Sequence, residues 1–290
     1  MIPLVKLKVY HVFVLIPVIY ILVVSIFPTV YMMAGSFTDW KLGIAEMPFV
    51  GVKNYVDSLQ DYRLYNSLWV IFYLNIMAVP LEIALGIFLA QLMALRLRGR
   101  RLFRTMFLLP VFTSPVAVAV MGNIIFYENG GPLNGMLNLL NLSGIPWRSS
   151  TTVAPLTVVL CDVWMWTPFC FLITLAGIEA IPREYTEAAV VDGASLFEIF
   201  RRINLPLISA PLVTILMFRV LDGLKIFEIP MILVGGGGPG IVTETLTIYI
   251  YKTAFRGFFL GRAAAMSLIF MVIIAVLSGF FISRVRKYYV

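Results

Sequence analysis

Charge is what this sequence has least of. Lys, Arg, Asp and Glu make up 13% of its 290 residues, and hydrophobic residues make up 61%. A soluble domain carries about 25% charged residues. The composition therefore excludes an ordinary soluble domain and is that of a polytopic membrane protein. Cysteine is nearly absent: Cys161 and Cys170 are the only two, and both fall in one apolar run. On a helix that spacing is roughly 13 Å of rise, too far for a disulfide. Both read as core or lipid-facing residues. Histidine occurs once, as His11, with no partner histidines or cysteines at metal-ligand spacing. It reads as a structural residue near the membrane interface, and a Ser/His/Asp set is excluded with it. No G-x-x-x-x-G-K-[ST] occurs, so this chain does not hydrolyse ATP itself. The net charge of +7 raises the question of nucleic acid. No stretch interleaves basic and aromatic residues as a nucleic-acid surface does, and the cations cluster beside apolar runs instead.

Six such runs are present, at about 9–33, 67–95, 105–127, 152–179, 207–234 and 263–283. Each can cross about 30 Å of hydrocarbon as a helix. The first resembles a signal peptide at its start, but its uncharged stretch, Val9 to Thr38, is too long for a signal core. Pro17, Pro28, Pro80, Pro110, Pro115 and Pro168 lie inside the runs. Membrane helices tolerate proline where neighbours satisfy the freed carbonyls. The expected fold is an all-α membrane protein of six kinked transmembrane helices, one domain over 1–290, with no internal repeat.

Lysine and arginine set the orientation. One side holds Lys6, Lys8, Arg96, Arg98, Arg100, Arg101, Arg104, Arg183, Arg201, Arg202, Arg284, Arg286 and Lys287. The other holds Lys41, Lys53, Arg63, Arg148, Lys252, Arg256 and Arg262. The first set is the richer, which predicts both termini in the cytoplasm. The polar stretch between the fourth and fifth runs, EYTEAAVVDGASLFEIFRRINLPL (185–208), is then cytoplasmic too.

That stretch carries helix punctuation. Pro182 suits a first helical turn. The helix runs to about Asp192, and Gly193 ends it. Ser195 and Glu198 read S-x-x-E, a capping box for a second helix. Leu196, Ile199, Phe200 and Ile203 make an apolar stripe, and Pro206 closes that helix. An interfacial helix on lipid headgroups would fit the same pattern.

The residues resemble a known signature. Glu187-Ala188-Ala189, Asp192-Gly193-Ala194 and Ile203-Asn204-Leu205-Pro206 match the cytoplasmic E-A-A, D-G-A, I-x-L-P pattern of membrane subunits of binding-protein-dependent ABC importers. FVGVKNY (49–55), PLEIALGIFLAQL (80–92), DVWMWTPF (162–169) and GGGGPGIVTETLTIYIYKTAF (235–255) resemble the carbohydrate branch. FRVLDGLKIFE (218–228) leans toward trehalose or maltose importers. The resemblance implies a type I ABC importer permease-like bundle. It implies that 182–205 forms coupling helices that dock on a separate ATPase, a dimer that binds the ATP and Mg. Glu187 would meet that ATPase, Ala188 and Ala189 would permit close approach, and Gly193 would supply the bend. Arg183, Glu184, Asp192 and Ala194 complete the implied coupling set. The other implied partners are a second, related permease subunit, an extracytoplasmic sugar-binding protein, membrane lipid and a sugar. No cofactor is implied on this chain. The other reading is a permease for glycerol phosphate, a peptide or an amino acid.

A sugar path needs hydrogen-bonding groups and aromatic faces, and polar residues inside spans face the bundle interior. Asp162, Trp166 and Phe169 share one helical face at i, i+4 and i+7. Trp164 and, nearer the outer end of the third run, Asn123 are further candidates. In the fifth run Arg219, Asp222, Lys225 and Glu228 follow at steps of three, a ladder of alternating sign on one stripe turned toward protein. The bland reading is structural, packed against the partner subunit. The sharper one has Arg219 or Asp222 also touching sugar hydroxyls or gating the outer half of the path. An intramembrane enzyme would need paired acids. Glu82, Asp162 and Asp222, the clear intramembrane carboxylates, lie on three different runs. GGGGPG (235–240) satisfies G-x-G-x-x-G literally but lacks the following helix and reads as a flexible outer loop.

Overall fold

The computed structural model describes residues 4–94 and 99–289, with side chains over 13–94 and 99–283. The side chains of Lys6, Lys8, His11, Arg284, Arg286 and Lys287, and the whole of Arg96 and Arg98, lie outside the described residues. Among those described the fold is helical, with two isolated bridges, Thr38–Phe49 and Lys41–Phe259. Among the described residues four helices are long and apolar enough to cross a membrane, and the number is six, as expected, if each of two bent pairs is one span. The chain packs as two compact units, residues 1–64 with 249–272, and residues 65–248 with 273–290.

In the first unit, α1 (Leu4–Ile21), a π turn (Leu22–Ile26) and α2 (Phe27–Ser36) run on without a break. Pro28 falls in the first turn of α2, where a missing N–H matters least. α3 (Lys53–Leu59) is tied to the end of α2 by Asn54, whose Nδ2 donates to the carbonyls of Ser36 and Thr38 at 2.9 Å each. Asp61 is the charged knot of this unit. It accepts from the Tyr249 hydroxyl, from Arg262 at 2.6 Å and from the Arg63 amide at 2.8 Å. Burial pushes its carboxyl up, but these donors outweigh burial and hold it below the usual carboxylate range.

The second unit begins within α4 (Tyr62–Ala94), which carries Pro80 inside it. α5 (Arg100–Leu108), a 3₁₀ turn (Leu109–Phe112) and α6 (Pro115–Ile125) follow, and the two arms meet at 99°. The third run was expected as a single span over 105–127; it is a bent pair. Pro115 forces Ser114 out of the helical region, to ψ 139°. α7 (Pro132–Leu139) and α8 (Val153–Glu179, with Pro168 inside) lead to α9 (Arg183–Val191) and α10 (Leu196–Ile199). A π turn (Phe200–Asn204), α11 (Leu205–Leu207) and α12 (Ser209–Gly223) continue the chain. The helical stretch 196–207 ends one residue past Pro206, close to the expected closure. Pro206 sits in the first turn of α11, after a π turn that has already shifted the hydrogen-bond ladder. The bend of 67° falls at Ile208. The fifth run is also broken beyond Gly223, and α13 (Glu228–Leu233) is a separate helix.

Leu74 and Ala78 of α4, Val118 of α6, Val158 of α8 and Leu233 of α13 share one buried core. Both cysteines are free and buried in α8. α4 and α8 touch at Gly86: a Cβ there would lie 2.6 Å from the Cys170 Cβ and 2.8 Å from the Phe171 amide nitrogen. The 235–240 segment is a loop whose amides are paired: Gly236 N–H donates to the Pro230 carbonyl at 3.0 Å and Gly238 N–H to the Val234 carbonyl at 3.1 Å. Gly235, Gly236, Gly238 and Gly240 take positive φ, so the chain folds back on itself. Gly236, Gly237, Thr243, Glu244 and Thr245 are buried. Thr247 Oγ1 donates to the Ile226 carbonyl at 2.7 Å and pins the start of α14 (Leu246–Tyr251). α15 (Leu260–Tyr289) ends the chain.

Two predictions follow from this packing. Gly86→Val overpacks a backbone contact, and overpacking costs typically 1–3 kcal/mol; a lower melting temperature of the purified protein in detergent, with Gly86→Ala milder, is expected. The Asp61 carboxyl is depressed, so its contribution to stability is present above the unfolded carboxylate pKa, about 4, and is lost as pH falls through its lower folded value. An Asp61→Asn variant melted across pH 3–6 should lack that part of the acid dependence.

Candidate functional site

Arg219 of α12 is completely enclosed. Its Nε and Nη2 donate to the two oxygens of Glu82 on α4, at 2.6 and 2.9 Å. Nη2 also donates to Asp162 Oδ2 on α8 at 2.9 Å. Nη1 reaches Asp222 Oδ2, one turn along α12, at 3.0 Å. The planar fork of guanidinium matches carboxylates two at a time, which is why one arginine can serve three. The three intramembrane acids, read in sequence as lying on three separate runs, meet on one cation. Glu82 is fully enclosed, and Asp162 is nearly so. The expected ladder stops early: Lys225 Nζ lies 3.9 Å from Asp222, but Glu228 begins a new helix. The guanidinium faces the interior of its own chain rather than a partner surface.

Trp166 covers this cluster. The Arg219 guanidinium lies 4.4 Å from its ring centroid. Trp166 and Phe169 meet edge to face at 5.9 Å, so the expected face of Asp162, Trp166 and Phe169 is assembled as spaced. Trp164 points elsewhere, into an apolar cavity of about 960 Å³ lined with Phe103, Phe107 and Leu160. Asn123 of α6 donates from Nδ2 to the Ile232 carbonyl of α13 at 2.8 Å, which joins the two helices. Glu82 was not among the path candidates. Its one signal was a charge deep in an apolar run.

The 182–205 loop is helix, tight break, helix. Pro182 stands just before α9, not in its first turn, with ψ 136°. Gly193 takes φ +76°. Its N–H reaches the Val190 carbonyl at 3.1 Å, and the Ala194 N–H reaches Ala189 at 2.9 Å, the two bonds of a Schellman motif. Ser195 Oγ accepts from the Glu198 amide at 3.3 Å, and Glu198 accepts from the Ser195 amide at 3.0 Å, so the capping box is formed. Arg183, Glu184, Glu187, Ala188, Asp192 and Gly193 are exposed, and Ala189 and Ala194 half-buried. The apolar stripe is only partly used. Ile199 is buried and Phe200 and Ile203 are half-buried, while Leu196, at the start of the helix, is exposed. A groove of about 1120 Å³ runs beside the loop, lined with Phe88, Gln91, Glu187, Val190, Phe197 and Asn204.

Residues 82–287 match a family described as the inner membrane component of binding-protein-dependent transport systems. The chain belongs to that family. A probable ABC transporter permease protein of Sinorhizobium fredii is 35% identical, over 90% of this chain and 84% of the relative. A trehalose/maltose transport system permease of Thermococcus litoralis is 34% identical, over 80% and 78%. Among solved structures, a chain of a bacterial ABC transporter that imports the acidic polysaccharide alginate superimposes with a TM-score of 0.85. It is 21% identical and covers 97% of this chain and 96% of its own, so the fold is shared. This permease is thus a multi-pass membrane protein with the type I importer fold.

In the permease, removing Arg219 alone strands carboxylates in its interior. Breaking a buried ion network from one side costs about 3–5 kcal/mol. Arg219→Met should therefore fail to accumulate or melt far lower, while Arg219→Met combined with Glu82→Met and Asp162→Asn should recover much of the loss. Melting curves of the purified variants in detergent check this.

Proposed function

We propose that this permease is the membrane-spanning subunit of an ATP-driven sugar importer. It forms half of a translocation pore with a second, related permease. A separate ATPase dimer hydrolyses the ATP and docks on the 182–205 loop, an extracytoplasmic binding protein delivers the sugar, and both termini lie in the cytoplasm. The observation that carries the reading is the loop itself. Val190, Val191, Leu196 and Phe197 stand exposed on two short helices whose junction is fully capped. A rigid apolar projection of this kind fits a partner's cleft better than it fits water. Glu187 and Ala188 lie on its exposed face beside Gly193, which supports the coupling roles that the E-A-A and D-G-A pattern implies.

The named specificities of the relatives favour a disaccharide or oligosaccharide such as trehalose or maltose. Asp162, Trp166, Phe169 and Asp222 supply acceptors and rings on one region of α8 and α12 and are proposed to line the path. Trp164 and Asn123 are proposed at its margins. The enclosure of Arg219 favours a supporting role there over direct contact with sugar.

Gly193→Val tests the coupling. Valine at φ +76° is strained and would open the bend. The variant should insert and assemble normally, yet ATP-driven trehalose or maltose uptake into proteoliposomes should fall by about tenfold or more. Gly193→Asn, which tolerates the left-handed region, should retain most uptake. Normal transport by Gly193→Val would defeat the coupling role.

A further inference from the structure

The apolar cavity of about 960 Å³ lies across α8 from the arginine cluster. Leu160, Trp164, Thr167 and Phe171 line it at i, i+4, i+7 and i+11, one stripe of the helix. Asp162, Trp166 and Phe169 occupy the opposite stripe. α5 and α6 form the facing wall on either side of their 99° bend, and α4 adds Leu85 and Leu89. The lining is almost wholly aliphatic and aromatic, with Thr167 its one hydroxyl.

Such a space needs an occupant. Left empty, it forfeits the dispersion contacts of its walls. Water there lacks the two to four polar partners it requires. A further membrane helix does not fit: a cylinder about 10 Å across and about 30 Å long fills about 2,300 Å³, more than twice the cavity. A hydrocarbon chain does fit. From Leu160 to Phe171 the wall runs about 16 Å at about 1.5 Å per residue, close to one leaflet's share of a core about 30 Å thick.

One end of the cavity is basic. Phe107 of α5 meets Phe171 at 6.2 Å between ring centroids, and Arg104 lies one turn before Phe107. Arg100 and Arg101 precede it on the same helix. Among the described residues Glu179 of α8 is the one carboxylate paired with this helix. Arg100 bonds to it, and Arg104 Nη1 stands 4.0 Å away. Three arginines less one carboxylate leave two positive charges, and Arg101 is exposed. Basic pockets between spans bind anionic headgroups.

We propose that the cavity seats an acyl chain of an anionic phospholipid whose phosphate rests on Arg101 and Arg104. In the orientation proposed above it is a lipid of the inner leaflet. It fills the angle between α5 and α6 and props the bend against α8. The site needs no sugar and no transport, so it stands apart from the sugar reading.

The test uses the complete importer, purified with its partner subunits and stripped of lipid in detergent. Phosphatidylglycerol carrying a diazirine near its chain end is added and photolysed, and mass spectrometry locates the label on this chain. The label should fall on α8 between Leu160 and Phe171. Unlabelled phosphatidylglycerol should displace the probe, while phosphatidylcholine with the same chains and inorganic phosphate should not. Arg101→Ala with Arg104→Ala should weaken probe binding by about thirtyfold, the effect of two basic contacts. Met106→Trp adds bulk on the α5 wall at a position that is itself exposed; it should abolish the label with the complex still assembled. Equal displacement by phosphatidylcholine would mean unspecific surrounding lipid and overturn the proposal. Displacement by inorganic phosphate would mean a phosphate site without a chain, with the same result. Label outside the cavity, or a segment of the second permease cross-linked into it, would also overturn it.

Discussion

A guanidinium with no access to water must find its partners in protein. That requirement at Arg219 organises the second unit. Three carboxylates answer it, from α4, α8 and α12, so those helices have to cross where the arginine lies. The close passage of α4 and α8 at Gly86 belongs to the same arrangement, since a side chain there would hold the helices apart. Desolvating so many charges is expensive, and such a network adds little net stability over a well-packed apolar core. What it adds is register. A one-residue slide of any of the three helices would break hydrogen bonds that nothing else in the core could replace.

Irregular backbone is handled differently at each place it occurs. Within hydrocarbon every N–H and C=O needs a protein partner, so breaks are confined to short turns whose groups are re-paired. The 3₁₀ turn before α6 and the π turn at Leu22–Ile26, both inside apolar runs, follow that rule. Each changes the direction or phase of a helix while leaving few orphaned groups.

Local features were the legible ones. Run lengths gave the spans, and Gly193 with Ser195 and Glu198 specified the loop's break and cap, because a turn type or a capping box needs particular residues at particular offsets. The angle between α5 and α6 was not readable, although Pro110 and Pro115 marked the spot; packing sets an angle, and proline only permits one. The apolar stripe was legible in Ile199, Phe200 and Ile203, which are buried or half-buried, but not at Leu196, which stands exposed at the helix start. The meeting of Glu82, Asp162 and Asp222 was hidden for a deeper reason. Their separation along the chain argued for independence, and only the tertiary crossing brings them to one cation.

The arginine cluster also imposes an order on how the protein is made. Chains are synthesised from the N-terminus, and Glu82 precedes its cation by 137 residues and Asp162 precedes it by 57. Both acids therefore leave the ribosome, and their helices are presented to the bilayer, before the guanidinium that neutralises them exists. Neither α4 nor α8 can complete its charged contacts on arrival. The bundle stays open at its centre until α12 is delivered, which makes the fifth run, late in the chain, the piece that closes the core.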